Sequence, residues 1–279
     1  MIFPYTLLSQ FYIFVQLPGT EMNKFRLIAI LIMFFVFNSQ RSFAQLGISH
    51  EVGVMVGPAS LFTDYGERWN VKNNLENAGF GIGLIHYMNF AYRQACHSYV
   101  SENFFSEHFK LRTEMDYFFS DLEHFGPVAK QDSEGGRLLR AMHGKTQIFE
   151  LGAALEYYPF RIRDYSTFAF QFAPYVSLGL HYVYYKPEAY SDLGSLTNPK
   201  NVFPSFVGGM DFEGGSTWAI AGSMGVRYRL SVVSDLGFEA RWHYYDTDWI
   251  DGLNIKAPQN KFNDFLFWFN IGYIYYLNY

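Results

Sequence analysis

The 279-residue sequence predicts an all-β chain: a transmembrane antiparallel up-and-down β-barrel of eight strands, with ten as the alternative count. Three observations predict it. Aromatic residues make up 20% of the chain and charged residues only 17%, against roughly 25% charged in an ordinary soluble domain. The mean hydropathy is nevertheless −0.05, and after residue 44 no apolar run approaches the ~20 residues a membrane helix needs. Period-two alternation recurs in segment after segment, and the charges inside those segments share the parity of the polar face.

The chain opens with a segment separate from these strands. Met22-Asn23-Lys24-Phe25-Arg26 forms a short basic stretch, Leu27 to Phe37 an apolar one, and Ser42-Phe43-Ala44 a small-x-small cleavage site. This order predicts a cleaved secretory signal peptide over 22–44 and a mature barrel over 45–279, beginning at Gln45. Residues 1–21 then read as the product of an upstream start. The alternative, two membrane helices over 5–17 and 25–37, requires stretches longer than these.

The strands follow in order. The first, near 47–57, turns Val52, Val54 and Val56 outward and Glu51 and Gly53 inward. The second, near 78–90, turns Phe80, Ile82 and Leu84 outward and glycines inward. The third, near 109–119, sets Leu111, Thr113, Met115, Tyr117 and Phe119 against Arg112, Glu114 and Asp116. The fourth, near 146–158, sets Phe149, Leu151, Ala153, Leu155 and Tyr157 against Glu150, Gly152 and Glu156. The fifth, near 167–185, carries Phe168, Phe170 and Phe172 and then Val176 to Tyr184, with Pro174 on the apolar face. A proline inside a paired strand predicts a bulge or bend.

The sixth strand, near 216–230, sets Trp218, Ile220, Met224, Val226 and Tyr228 against Arg227 and Arg229. The seventh, near 236–245, sets Phe238, Ala240, Trp242 and Tyr244 against Glu239, Arg241 and His243. The last strand alternates from Phe265 through Tyr275 to the terminal Tyr279, with Asp264, Asn270 and Gly272 on its other face.

Ten strand charges thus share one face: Glu51, Arg112, Glu114, Asp116, Glu150, Glu156, Arg227, Arg229, Glu239 and Arg241. An Arg or Lys facing lipid at midplane costs roughly 2–4 kcal/mol, so in a membrane barrel these residues face the lumen, together with Gln171, His181 and His243. In a soluble β-sandwich they would face water, and what favours lipid is the gathering of Phe, Tyr and Trp toward the strand ends of the other face. An eight-stranded barrel leaves room inside for side chains alone. Six acids and four arginines of nearly balanced sign predict a salt-bridged plug, because unpaired buried charge is costly. Long connections (58–77, 120–145, 186–215, 246–263) alternate with short ones after strands four and six, which puts both termini on the periplasmic side of an outer membrane. The segment 91–108, with Cys96, is too long for a tight turn and predicts either a small helix or a count of ten.

Two segments carry a family resemblance. Leu155-Glu156-Tyr157-Tyr158-Pro159-Phe160 closes strand four, and Tyr245-Asp246-Thr247-Asp248-Trp249-Ile250-Asp251 follows strand seven, with Gly252 where the family segment has a final acid. The chain resembles the small outer-membrane barrels of Bacteroidota-type bacteria that include the PorG-type barrel of the type IX secretion system. That resemblance implies a membrane-embedded scaffold, in contact with outer-membrane lipid and with a protein partner in a secretion or assembly complex. It implies no active site and no cofactor.

Other motifs are weaker. Asp246, Asp248 and Asp251 form a candidate cation site of hard oxygen ligands, set against a solvated acidic loop or structural turn. His124 and His143, with Ser133 nearby, are the residues an enzyme at the outer rim would need. His181 and His243 read as satisfied lumen histidines, and Cys96 as a bystander thiol. Gly81-Gly83 and Gly208-Gly209 lack the strand-then-helix setting of a phosphate loop. Phe203, Phe206 and Phe212 in the third long loop either mark a partner surface or fold over the rim. A net charge of −5 without a basic stripe excludes nucleic acid. The leading reading is a non-enzymatic scaffold or interaction protein, and the alternatives are a small-solute pore and an outer-membrane enzyme.

Overall fold

The computed structural model describes residues 48–68, 70–90, 103–166, 171–255 and 262–277. The signal-peptide segment, Gln45, Cys96, Phe168, Phe170 and Tyr279 lie outside the described residues. Eight strands follow one another around a closed barrel: β1 (Ser49–Phe62), β2 (Ala78–Asn89), β3 (Phe109–Glu123), β4 (Met142–Tyr157), β5 (Phe172–Ser191), β6 (Gly215–Ser231), β7 (Ser234–Tyr245) and β8 (Phe265–Tyr276). Each strand pairs antiparallel with its neighbours in sequence, and β1 pairs with β8 to close the circle. The count is therefore eight and not ten.

Alternation sets the two faces as the sequence predicts. Val54, Leu84, Leu151, Leu178, Ile220 and Ile271 are exposed outside, while Arg112, Asp116, Glu150, Glu156, Arg227 and Arg241 are fully buried inside. The outer face is a continuous apolar belt, and a tilted strand crosses a bilayer in about 9–11 residues. The shortest strands, β2, β7 and β8, have 12 residues, whereas β5 has 20. The excess in β3, β4 and β5 lies at one end. There the outward positions change from Phe119, Phe149 and Tyr184 to the polar Asp121, Glu123, His143, Lys145, Lys186 and Glu188. Cross-strand Lys145 and Asp121 pair at 3.1 Å.

Where β3 outruns β2, Asn77 substitutes for a missing strand. Its side chain donates to the Glu123 carbonyl at 3.0 Å and accepts from the Glu123 N–H at 2.8 Å. A side-chain amide reproduces both groups of a peptide, so the exposed edge is covered.

Three details depart from the sequence expectation, and a fourth agrees with it. Pro174 causes no register shift, because β4 ends opposite Val176 and Pro174 has a paired neighbour, Val226, on one side only. Proline is tolerated at such an edge; the irregularity instead falls between Arg229 and Ser231. Gln171 precedes β5 and is exposed, since the alternation begins only with the strand. The connection after β4 contains a short helix, Ile162–Ser166, in place of a tight turn. Within 91–108, the described end forms the helix Phe104–His108, as one of the two readings of that segment expects.

Candidate functional site

The lumen is built by the inward residues of all eight strands. Among the described residues it holds the carboxylates of Glu51, Glu114, Asp116, Glu150, Glu156, Asp235 and Glu239 and the cations Lys110, Arg112, Arg227, Arg229 and Arg241. Lys110 shares the parity of Arg112, and Asp235 stands one residue before the expected start of β7; both escaped the sequence reading. Toward the turn end, Arg227 contacts Glu51, Glu156 at 3.4 Å and Asp235 at 3.8 Å, with its guanidinium 4.1 Å over the Tyr87 ring. Lys110 reaches Glu51 at 2.6 Å.

In the middle, Arg112 meets Glu239 at 2.6 Å, Glu156 at 2.9 Å and Glu114 at 3.1 Å. Arg241 meets Glu114 at 2.8 Å and Asp116 at 3.0 Å. Tyr175 and Tyr158 donate their hydroxyls to Glu239 and Glu156 at 2.7 and 2.6 Å.

The two lumen histidines join the tier above. His181 sets Nε2 2.9 Å from Glu114 and Nδ1 2.9 Å from Glu150. His243 Nδ1 and the Tyr245 hydroxyl both reach Glu150 at 2.8 Å. Gly152 makes this tier possible: a Cβ there would stand 2.6 Å from the His181 ring. Glu150, His181 and His243, and likewise Glu114, Asp116 and His181, are groups that could ligate a metal. In this structure His243 hydrogen-bonds Glu150 at 2.8 Å, and His181 lies 2.9 Å from Glu114 and from Glu150.

Apolar residues close both ends of this charged column. At the turn end Tyr158, Ile162, Tyr165, Ala173 and Tyr175 pack together. Toward the other end Trp268 meets Phe118 edge-on at 5.0 Å, and Ile250 and Leu253 come down from the last loop to the same cluster.

The four long loops, L1 (63–77), L2 (124–141), L3 (192–214) and L4 (246–264), form a second polar centre above that apolar layer. Arg68 of L1 is buried against Asp248 at 2.8 Å, Asp264 at 3.0 Å and Asp64 at 3.2 Å. Asp251 accepts from the N–H groups of Asp64 and Leu253, both at 2.8 Å. Asp64 accepts from Ile255 N–H at 2.8 Å, and Asp264 from Ile250 N–H at 3.0 Å. L4 also pairs with L3 through Asp211 N–H to the Gly252 carbonyl at 2.9 Å. Gly252 has φ of +81°, and a Cβ would meet Phe212 at 2.4 Å, which accounts for glycine in place of an acid.

Two of the three predicted cation ligands, Asp248 and Asp251, therefore share a centre with Asp64 and Asp264, while Asp246 is exposed and outside it. Arg68 supplies the positive charge. Asp64, Arg68 and Asp264 come from distant segments, and no local spacing could have found them. Burial, reinforced by the neighbouring Asp251 and Asp248, pushes the Asp64 carboxyl up to about 8. Burial likewise pushes Asp251 up to about 7.

The rim residues do not assemble a catalytic set. Ser133 caps the helix Glu134–Arg140 by accepting from Gly136 N–H at 3.1 Å. His143 faces outward to Asp192 at 3.3 Å. His124 is buried against Tyr65 at 4.6 Å between ring centres and Phe206 at 5.3 Å. Phe206 is buried and Phe203 and Phe212 pack against the core, so these rings fold over the rim.

Three solved structures illustrate what the chain is similar to. The attachment invasion locus protein Ail of Yersinia pestis, in complex with the heparin analogue sucrose octasulfate, is 12% identical over 82% of this chain and 99% of that one, with a TM-score of 0.42. Neisserial surface protein A is 12% identical over 82% and 98%, at 0.41. A major outer membrane protein of Thermus thermophilus is 12% identical over 82% and 99%, at 0.40. No curated protein matches the chain. A family model described as a domain of unknown function, DUF6089, matches residues 25–273, and the chain belongs to that family.

Proposed function

We propose that the chain is an outer-membrane β-barrel with a sealed lumen, acting as a non-enzymatic scaffold or interaction component with L1 to L4 outside the cell. The observation that carries the reading is the lumen: its Arg and Lys residues lie against its carboxylates, with an apolar cluster toward each end, which supports a closed barrel. The apolar belt supports contact with membrane lipid, and a structured loop cap above it supports a role in contacts outside the bilayer. The export segment 22–44 supports delivery across the inner membrane. The likeness of the 155–160 and 245–251 segments to PorG-type barrels supports an accessory role in secretion in a Bacteroidota-type bacterium.

The test is purification from outer membranes in mild detergent, followed by mass spectrometry and planar-bilayer recording. The expected result is a stoichiometric partner and no single-channel conductance. A clean monomer with steady conductance would overturn the scaffold reading in favour of a pore.

A further inference from the structure

L1, L2, L3 and L4 line a half-open cavity of about 260 Å³, whose walls share no residue with the charged column of the lumen. Its walls are mainly apolar: Pro127, Val128 and Leu139 from L2, Phe203 and Phe206 from L3, and Ile255 from L4. One polar side chain in this wall is buried without a partner. His124 is only 7% exposed, and its Nε2 makes no hydrogen bond among the described residues. A buried imidazole nitrogen normally finds a partner, because leaving it bare costs about 1–3 kcal/mol. Tyr65 and Phe206 flank the ring, which holds its plane in place. Burial, with His143 nearby, pushes His124 down to about 3, so the ring is neutral at physiological pH. The acids in the wall, Asp64 and Glu67, belong to L1.

We propose that this cavity binds a small uncharged molecule with a ring-sized apolar body and a single hydroxyl or N–H group, which hydrogen-bonds to His124. Size sets the first limit: an apolar cavity of roughly 150 Å³ already holds benzene, so this one accommodates a substituted monocycle. Charge sets the second. A neutral imidazole offers no counter-ion to an anion. The orphaned nitrogen sets the third, since a purely apolar guest would leave it bare. The site lies in the loops and stands whether or not the lumen conducts or a partner is found.

The test uses the full chain in lipid nanodiscs, with phenol, toluene and benzoate as probes in ligand-observed NMR and titration calorimetry. Phenol is expected to bind about 3- to 10-fold more tightly than toluene, the worth of one net hydrogen bond, and benzoate to show no binding. The ¹⁵N shift of His124 is expected to move on phenol addition. In His124→Phe the advantage of phenol over toluene is expected to vanish, and Ala129→Leu, which fills the cavity, is expected to weaken both. Equal affinity for phenol and toluene in the wild-type protein, an unmoved His124 shift, or phenol binding unaffected by Ala129→Leu would each overturn the proposal. If His124→Phe does not fold, the wild-type probe series and the His124 shift still decide it.

Discussion

The lumen and the loop cap both bury carboxylates, and they neutralise them by different means. In the lumen seven carboxylates face five Lys and Arg residues, and His181 lies 2.9 Å from two of those carboxylates, so pairing nearly balances the column. In the cap, Asp64, Asp248 and Asp264 meet the guanidinium of Arg68, and Asp251 joins them through the Asp64 N–H. There burial pushes Asp64 and Asp251 up to about 8 and about 7, so protons meet the remaining charge. A balanced network holds its charges in place until a partner is removed. An acid-rich one is adjustable, because each carboxyl can take up or release a proton. The balanced region lies within the barrel and the adjustable one in the loops that tie it shut.

The sharpest way to break this contrast is to remove one cation from each region. Arg112→Met strips the partner shared by Glu114, Glu156 and Glu239 and leaves them buried and facing one another. A cost of about 3–5 kcal/mol is expected, read as a fall in the denaturant midpoint of the barrel in detergent. Arg68→Met is expected to cost less, about 1–2 kcal/mol near pH 8 and less still near pH 5, because the cap acids can protonate. Its effect belongs in the loops: faster cleavage of L4 by added protease with the barrel core intact. If Arg68→Met unfolds the barrel as severely as Arg112→Met, the two regions are one network and the contrast fails.

A change of pH sharpens the comparison without mutation. The folded-state values of Asp64 and Asp251 lie above the ordinary aspartate value of 3.8. Their contribution is thus fully present below about pH 4 and is lost as pH rises through 7 to 8. Hydrogen exchange at the Ile250, Leu253 and Ile255 amides, corrected for the intrinsic rate, should quicken between pH 5 and 9. Flat protection across that range would remove the proton-held description of the cap. The smallest effect is expected outside both regions. Lys145→Ala breaks an exposed pair with Asp121 and should leave the denaturant midpoint unchanged, as exposed ion pairs are screened by water.

The sequence by itself determined the strands, their two faces and the chemistry of each face. Alternation is a local property: once a segment such as Phe109–Glu123 is extended, successive side chains must point to opposite sides. The inward parity of Arg112, Glu150 and Arg241 was therefore legible, as were the paired state of His181 and His243 and the chain order of the barrel. Loop residues were legible only as types, such as acids at 246, 248 and 251.

What the tertiary structure decided was every pairing between distant segments. Which arginine meets which acid depends on strand tilt and on how the barrel closes from β1 to β8, and both are non-local quantities. Arg68 finds Asp248 across 180 positions of chain and Asp264 across 196, so no spacing rule links them. The ends of strands fell to tertiary contact for the same reason. Pro174 stays in register because β4 stops short of it, Gln171 faces solvent because β5 has not yet begun, and Asn77 covers β3 because β2 ends early. A local pattern tells a residue which way to face; only closure of the barrel tells it what it will face.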